Sequence, residues 1–109
     1  MGRRLRLATL RDLADACRHQ LLAAGDFNEA RGWDVLHPGE TWGAEYFKAV
    51  GAAGLVDCLH RVWPDEEPTR GEYQLDHVFA TTDVASKVKD PLILASSGSD
   101  HAPIAFTLG

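Results

Sequence analysis

Residues 73–80, with the sequence YQLDHVFA, form the stretch that decides the fold. Side chains in a strand point alternately to its two faces, and this alternation predicts a β-strand with Leu75, His77 and Phe79 on one face. Strand interiors disfavour aspartate, so Asp76 on the opposite face indicates a hydrogen-bonded or functional role. The alternative interpretation is an exposed polar residue. We expect His77, by contrast, to be a packing residue.

The segments on either side of this strand predict alternating helices and strands. Apolar residues at helical spacing alternate along the chain with short apolar runs that glycine or proline ends. Helices are expected over 9–19 and 41–53, and further strands over 20–25, 88–95 and 103–108, with an interruption near Pro91. Residues 29–40 contain two glycines and a proline and predict a loop. Helices and strands that alternate in this way predict an α/β fold.

Composition sets limits on size and function. The 109 residues suit a single domain, and a hydrophobic share of 45% with 25% charged residues is typical of a folded globular protein. The net charge of −5 argues against a protein that binds nucleic acid mainly by neutralising phosphates. An anionic substrate would therefore need a metal cation or a local positively charged site.

Cysteine usage and hydropathy point to a cytoplasmic location. Cys17 and Cys58 are too few for a disulfide scaffold and have apolar neighbours, so we expect buried thiols in a reducing compartment. The first ten residues lack the apolar run of roughly 7–15 residues that a signal peptide needs. No stretch reaches the roughly 20 apolar residues of a membrane span.

Three polar clusters fall at the ends of predicted strands: GDFN at 25–28, DH at 76–77 and SDHAP at 99–103. Each has an ordinary structural explanation when it is taken alone. Asp26 and Asn28 could cap a turn, and Asp100 with His101 could belong to a plain loop. Phosphoester hydrolysis, however, needs a base for the attacking water, cations for the phosphoryl oxygens, and an acid or a metal for the leaving oxygen. Carboxylates, an amide and a histidine can supply these functions.

In this order, the three clusters resemble the C-terminal half of the endonuclease/exonuclease/phosphatase superfamily, whose members are metal-dependent phosphoesterases. The resemblance extends from about residue 21 to the end of the chain. It implies half of a four-layer α/β sandwich, with one mainly antiparallel or mixed sheet and helices on one face. It also implies that residues 1–109 form a single domain that matches the C-terminal half of the family's domain.

The resemblance also implies roles for individual residues. Asp26 would position the attacking water and Asn28 would bind the phosphate or that water. His101 would contact a phosphoryl oxygen, with Asp76 orienting its imidazole and raising its pKa. Asp100 would be a ligand for Mg²⁺ or Mn²⁺.

The N-terminal half of the family's domain has no counterpart in this chain. Family members are typically about twice as long, and their N-terminal half supplies an asparagine, the principal metal-binding glutamate and a histidine or tyrosine at the phosphate. None has a counterpart here, so we expect the isolated chain to bind Mg²⁺ or Mn²⁺ weakly. One hypothesis is a phosphodiesterase or phosphatase, endonuclease-like, that is truncated and incomplete as an isolated chain. The alternative is a noncatalytic fragment or interaction module that retains the motifs.

The resemblance leaves the substrate open, because nucleic acids, phospholipids and sugar phosphates are all substrates within the superfamily. Half of a sandwich also exposes an apolar sheet face that the other half would cover. We therefore expect either a homodimer or an assembly with a separate N-terminal half. Light scattering distinguishes these assemblies from a folded monomer.

Overall fold

The computed structural model describes Asp12, residues 20–95 and residues 98–109. In this part of the chain, helices and strands alternate, as the α/β prediction requires. The strands are β1 (Leu22–Asp26), β2 (Val56–Asp57), β3 (Asp76–Ala80), β4 (Val88–Ile93) and β5 (Ile104–Leu108). The helices are α1 (Trp33–Leu36), α2 (Trp42–Ala52), α3 (Cys58–Val62) and α4 (Thr82–Ala85). The helix predicted over 9–19 lies, apart from Asp12, outside the described residues.

The strands divide into two antiparallel sheets. The first has the order β1-β3-β2, and the second is a hairpin of β4 and β5. The single sheet expected from the sequence is therefore not observed among the described residues, because β4 pairs only with β5 there and not with β3. In the first sheet Leu22 lies opposite Ala80 and Asp26 lies opposite Asp76, so this register brings two candidate site residues side by side.

The central strand is shorter than predicted. It begins at Asp76 because Tyr73 is part of a turn in which its N–H donates to the carbonyl oxygen of Arg70 over 3.1 Å. From His77 to Ala80 every residue is buried. Residues 29–40 also differ from the prediction, since this loop contains the short helix α1.

One face of the three-stranded sheet is covered by α2. Tyr46, Phe47 and Val50 of this helix pack on Phe79 of β3 and form the first hydrophobic core. A Cβ atom at Gly43 would lie 2.6 Å from the carbonyl oxygen of Ala30, so a glycine is needed where α2 meets the loop after β1. The helix packing thereby fixes the segment that follows the first polar cluster.

The other face of the sheet is covered mainly by α3 and the β4–β5 hairpin. Val78 of β3 and Val88 of β4 belong to a second core, against which the half-buried Ile104 and Phe106 of β5 pack. The register of the hairpin shifts between Lys89 and Leu92, which confirms the interruption expected near Pro91. This arrangement places the loop before β5 beside the start of β3.

Cys58 lies in the second core and carries a free, fully buried thiol, as predicted for this residue. Burial raises the pKa of its thiol above the ordinary value. Cys17 lies outside the described residues. In the described part of the chain, every helix is too short or too polar to cross a membrane.

Candidate functional site

Two carboxylates and one imidazole converge where the two sheets meet. The antiparallel register places Asp26 of β1 opposite Asp76 of β3, and His101 approaches both from the loop before β5. The Nδ1 atom of His101 lies 2.7 Å from Oδ2 of Asp76, and its Nε2 atom lies 3.5 Å from Oδ2 of Asp26. The hydrogen bond expected between Asp76 and His101 is therefore present.

The partners of His101 determine its protonation. An ionised carboxylate can only accept a hydrogen bond, so Nδ1 of His101 carries the proton that is donated to Asp76. This hydrogen bond is the main reason why the pKa of His101 is raised, and the negative charges of Asp76, Asp26 and Asp100 act in the same direction. The imidazolium form consequently persists to higher pH than in an isolated histidine. Nε2 is then a second N–H donor, directed toward the region of Asp26.

The first polar cluster is held in a tight turn at the end of β1. The backbone N–H of Asn28 donates to Oδ1 of Asp26 over 2.8 Å, and Asn28 has a φ of +54°, a conformation that asparagine tolerates. Between them, Phe27 packs its ring 4.8 Å from that of Phe79 and donates its N–H to the carbonyl oxygen of Leu75. The turn leaves Oδ2 of Asp26 directed toward His101.

Asp100 lies in a different environment from the other predicted site residues. Its carboxylate forms an ion pair with Nε of Arg70 at 3.0 Å, and its side chain is 68% exposed. Asn28, in turn, lines a neighbouring cavity instead of the cavity beside His101. The structure thus brings Asp26, Asp76 and His101 together and places Asn28 and Asp100 at the margin of that group.

The convergent group has donor atoms suited to a divalent cation. Asp26, Asp76 and His101 each offer one ligand atom, and the three atoms lie within 4.8 Å of one another. Carboxylate oxygens suit Mg²⁺ and Mn²⁺, and imidazole suits several transition metals. Within the described residues, this donor set fits a divalent cation without deciding which one.

A cavity of about 330 Å³ opens beside Asp76 and His101. Its polar end is formed by these two side chains and Ser99. Its apolar walls come from Ala24, Val78, Ile104 and Phe106. The cavity thus combines polar side chains of the convergent group with apolar surface from the strands.

A second cavity, of about 290 Å³, lies on the other side of the site. Its wall includes two aromatic residues, Trp33 and Tyr73, whose ring centroids are 5.6 Å apart. Asn28 and Arg70 also line it, and Arg70 connects it to Asp100 through the ion pair. Sequence reasoning missed this cavity because Trp33 and Tyr73 are far apart in the chain and show no common spacing.

His77 has the structural role expected for it. Its ring is buried, stacks on Phe79 and meets Phe47 edge-on. Nε2 lies 2.6 Å from the carbonyl oxygen of Glu29 and Nδ1 lies 3.3 Å from Nε2 of Gln74. A tautomer with the proton on Nε2 satisfies both contacts, because Nδ1 then accepts from the amide of Gln74. His77 therefore joins β3 to the segment that follows Asn28.

Comparisons with known proteins show the class of fold. No protein-family model matches this chain, and no curated protein matches it significantly. A solved structure of the 3′ phosphatase NExo from Neisseria, bound to a product DNA hairpin, aligns with a TM-score of 0.72 and 20% sequence identity. The alignment covers 94% of this chain and 51% of that chain.

A second solved structure gives the same result. The 3′–5′ exonuclease NExo from Neisseria meningitidis aligns with a TM-score of 0.71 and 21% identity, over 94% of this chain and 51% of that chain. The described chain therefore has an exonuclease/phosphatase-like fold. It spans about half the length of these two structures.

Proposed function

We propose that this chain is a metal-dependent phosphoester hydrolase of the endonuclease/exonuclease/phosphatase superfamily. The observation that carries the proposal is the convergence of Asp26, Asp76 and His101 beside a cavity, in a fold shared with a 3′ phosphatase and exonuclease. All three residues come from motifs that the sequence assigns to this chemistry. We also propose that residues 1–109 form a single domain that matches the C-terminal half of a four-layer α/β sandwich.

His101 would bind a phosphoryl oxygen. Its Nδ1 is occupied by Asp76 at 2.7 Å, so only Nε2 is left to donate to a substrate. Asp76 fixes the plane of the imidazole and favours its cationic form, which offsets negative charge on the phosphoryl group.

Asp26 would position the attacking water and accept its proton. Its Oδ1 is held by the N–H of Asn28, and its Oδ2 lies 3.5 Å from Nε2 of His101. A water bound to Asp26 would consequently lie next to a phosphoryl group held by His101. Asn28 would bind the phosphate or this water through its side-chain amide.

A divalent cation would be held by the carboxylates of the site, and we propose Mg²⁺ or Mn²⁺. Such a cation supplies charge neutralisation of the phosphoryl oxygens when it is bound. Asp100 would contribute its carboxylate once its ion pair with Arg70 opens. Since the glutamate expected from the family has no counterpart, binding should be weak, and calorimetric titration of the isolated chain tests this. Tight, stoichiometric binding would contradict it.

The second cavity favours a nucleotide-type phosphoester over a phospholipid or a sugar phosphate. Trp33, one face of which stacks on His37, and Tyr73 line this cavity with aromatic surface, next to the motif that carries Asp26 and Asn28. Arg70 would offer a positive charge once its ion pair with Asp100 opens. Aromatic rings stack on nucleobases regardless of sequence. The bound DNA hairpin of the Neisseria 3′ phosphatase supports the same substrate class.

We further propose a partner for the incomplete sandwich and a cytoplasmic location. The partner is either a second copy of the chain or a separate N-terminal half that supplies the missing glutamate. Light scattering at micromolar concentration tests self-association, and a folded monomer without dye-accessible apolar surface would exclude the homodimer. The alternative, a noncatalytic interaction module, predicts no turnover with any partner.

The proposal is tested by hydrolysis assays on four substrates: a DNA hairpin with a 3′-phosphate, the same hairpin without it, a generic phosphodiester and an inositol phosphate. Each assay is run with Mg²⁺, with Mn²⁺ and with a chelator. We expect cation-dependent release of phosphate from the DNA 3′ end, which Asp26→Asn abolishes. Asp65→Asn, which removes an exposed carboxylate outside the site, is the matched control and should retain the activity. Absence of cation-dependent hydrolysis both by the chain alone and by the chain together with a separate N-terminal half, or equal activity in Asp26→Asn, contradicts the proposal.

A further inference from the structure

Thr69 connects the two segments that carry Asp76 and His101. Its side chain is buried, and its hydroxyl oxygen accepts hydrogen bonds from the backbone N–H groups of Leu75 at 3.1 Å and Asp76 at 3.3 Å. Its carbonyl oxygen accepts from the N–H of Ala102 at 2.6 Å. One residue thus holds the start of β3 with its side chain and the loop before β5 with its backbone.

This connection matters because the two site residues belong to different sheets. Asp76 lies in the three-stranded sheet, whereas His101 precedes β5 of the hairpin, and the two sheets share no strand pairing among the described residues. Strand register therefore fixes Asp26 against Asp76 but does not fix His101 against either of them. The position of His101 depends on contacts that cross between the sheets. One of them is the hydrogen bond donated by Ala102, the residue that follows His101 in the chain.

Thr69 is itself held in place by the turn that precedes β3. Its N–H donates to the carbonyl oxygen of Tyr73 at 2.9 Å, and Arg70 and Tyr73 form a reciprocal pair of hydrogen bonds at 3.1 Å. Gly71 has a φ of +57°, which this turn requires. The hydroxyl and the carbonyl oxygen of Thr69 are consequently presented from one rigid segment.

We propose that Thr69 is a positioning residue for the proposed reaction: it sets the distance between Asp76 and His101 by tying β3 to the loop before β5. This inference rests on the proposed function for its kinetic consequence, but its structural consequence is independent of activity. The hydroxyl is the essential group, because its oxygen accepts the hydrogen bonds from the N–H groups of Leu75 and Asp76.

The test compares Thr69→Val, which keeps the shape but removes the acceptor, with Thr69→Ser, which keeps the hydroxyl. The first readout is the NMR resonance of the His101 Nδ1 proton, which we expect the hydrogen bond to Asp76 to protect from exchange. We expect Thr69→Val to lose this resonance and Thr69→Ser to keep it. The second readout is steady-state kinetics, in which Thr69→Val should lower kcat by about 100-fold, as expected for a displaced catalytic group, with little change in KM.

The matched control is Thr81→Val at the other end of β3. The hydroxyl of Thr81 likewise accepts a hydrogen bond from a backbone N–H, that of Leu21 at 3.0 Å, but lies away from the site. This variant should lower the free energy of unfolding and leave the His101 resonance and kcat unchanged. If the control behaves like Thr69→Val, the role of Thr69 is only that of a stabilising hydroxyl and the proposal is wrong.

The outcomes separate the two proposals. A wild-type chain that is inactive both alone and with a separate N-terminal half, but shows the protected His101 proton, lost in Thr69→Val and kept in Thr69→Ser, supports the positioning role and contradicts the function. Persistence of the resonance and of kcat in Thr69→Val overturns the positioning role. If Thr69→Val does not fold, Thr69→Ala replaces it in the comparison with Thr69→Ser, and equal behaviour of these two variants overturns the proposal.

Discussion

Two ion pairs lie next to each other at the site and are held in different ways. Asp76 and His101 interact at 2.7 Å with side-chain exposures of 18% and 23%, whereas Asp100 and Arg70 interact at 3.0 Å with exposures of 68% and 53%. The first carboxylate belongs to a central strand with partners on both sides, and the second belongs to a loop. The difference indicates that the inner pair is kept in one geometry by its half-buried position and by contacts between the two sheets, while the outer pair can exchange partners with solvent or a ligand.

The largest expected effect comes from breaking the inner pair. His101→Gln removes the donor that we propose for the phosphoryl oxygen, and we expect hydrolysis to fall by roughly 10²–10³-fold, the usual effect of removing one preorganised hydrogen-bond donor. The measurement is kcat/KM on the DNA substrate that proves active. His60→Gln replaces an exposed histidine outside the site and serves as the control. A change of less than about threefold in His101→Gln contradicts the assignment, since it would fall far below that range.

The next effect concerns β3, the strand that carries Asp76 of the inner pair. Phe79 is fully buried between α2 and the turn that contains Phe27, so Phe79→Ala should lower the free energy of unfolding by about 3–5 kcal/mol. Phe106 of the hairpin is only half-buried, and Phe106→Ala should cost less. Urea denaturation of both variants compares the two sides of the sheet. Equal losses would show that the hairpin supports the site as strongly as the helix does.

The outer pair should contribute little to stability. Exposed ion pairs are typically worth about 0.2–1 kcal/mol, because solvent screens the charges and two long side chains must be ordered. A double-mutant cycle with Arg70→Gln and Asp100→Asn measures the coupling free energy by urea denaturation. A coupling energy well above that range would mean that Asp100 is not available to a cation.

The smallest expected effect is the pH dependence that His101 contributes to stability. The pKa of His101 is raised in the folded chain, mainly by its hydrogen bond to Asp76, so the folded state binds the proton more tightly than the unfolded state. Its contribution is therefore complete below the unfolded pKa of about 6.5 and is lost as the pH rises through the folded value. Urea denaturation at pH values from below the unfolded pKa to above the folded pKa should show this decline in the free energy of unfolding of wild type. The decline should be weaker in Asp76→Asn. A His101 contribution to stability that increases with rising pH would contradict this prediction.

The parts of the fold that local patterns determine could be predicted from the sequence. The alternation around Phe79 predicted the central strand, and the apolar stripe of Tyr46, Phe47 and Val50 predicted α2, because period and burial are local properties. The pairing of Asp76 with His101 was implied by the family resemblance. The predicted polar residues Asn28 and Asp100 lie at the margin of the convergent group, since loop geometry depends on contacts such as that of Arg70 with Asp100.

Long-range hydrogen bonds account for most of what the sequence did not reveal. Thr69 reaches Ala102 across 33 positions of the chain, and no spacing in the sequence marks this contact. The division of the strands into two sheets depends in the same way on how the hairpin packs over Val78, and not on the strand propensity of any segment. Sequence patterns therefore predicted residues that converge in the structure, and tertiary contacts determine the geometry of that group.

The most direct test of the central claim is a double-mutant cycle on hydrolysis rates with Asp76→Asn and His101→Gln. If the hydrogen-bonded pair acts as one unit, the double variant should be no slower than the worse single variant, because each substitution already removes the function of both residues. Rate losses that multiply in the double variant would contradict the account, and so would a wild-type chain that hydrolyses the DNA substrate with neither cation, both alone and together with a separate N-terminal half.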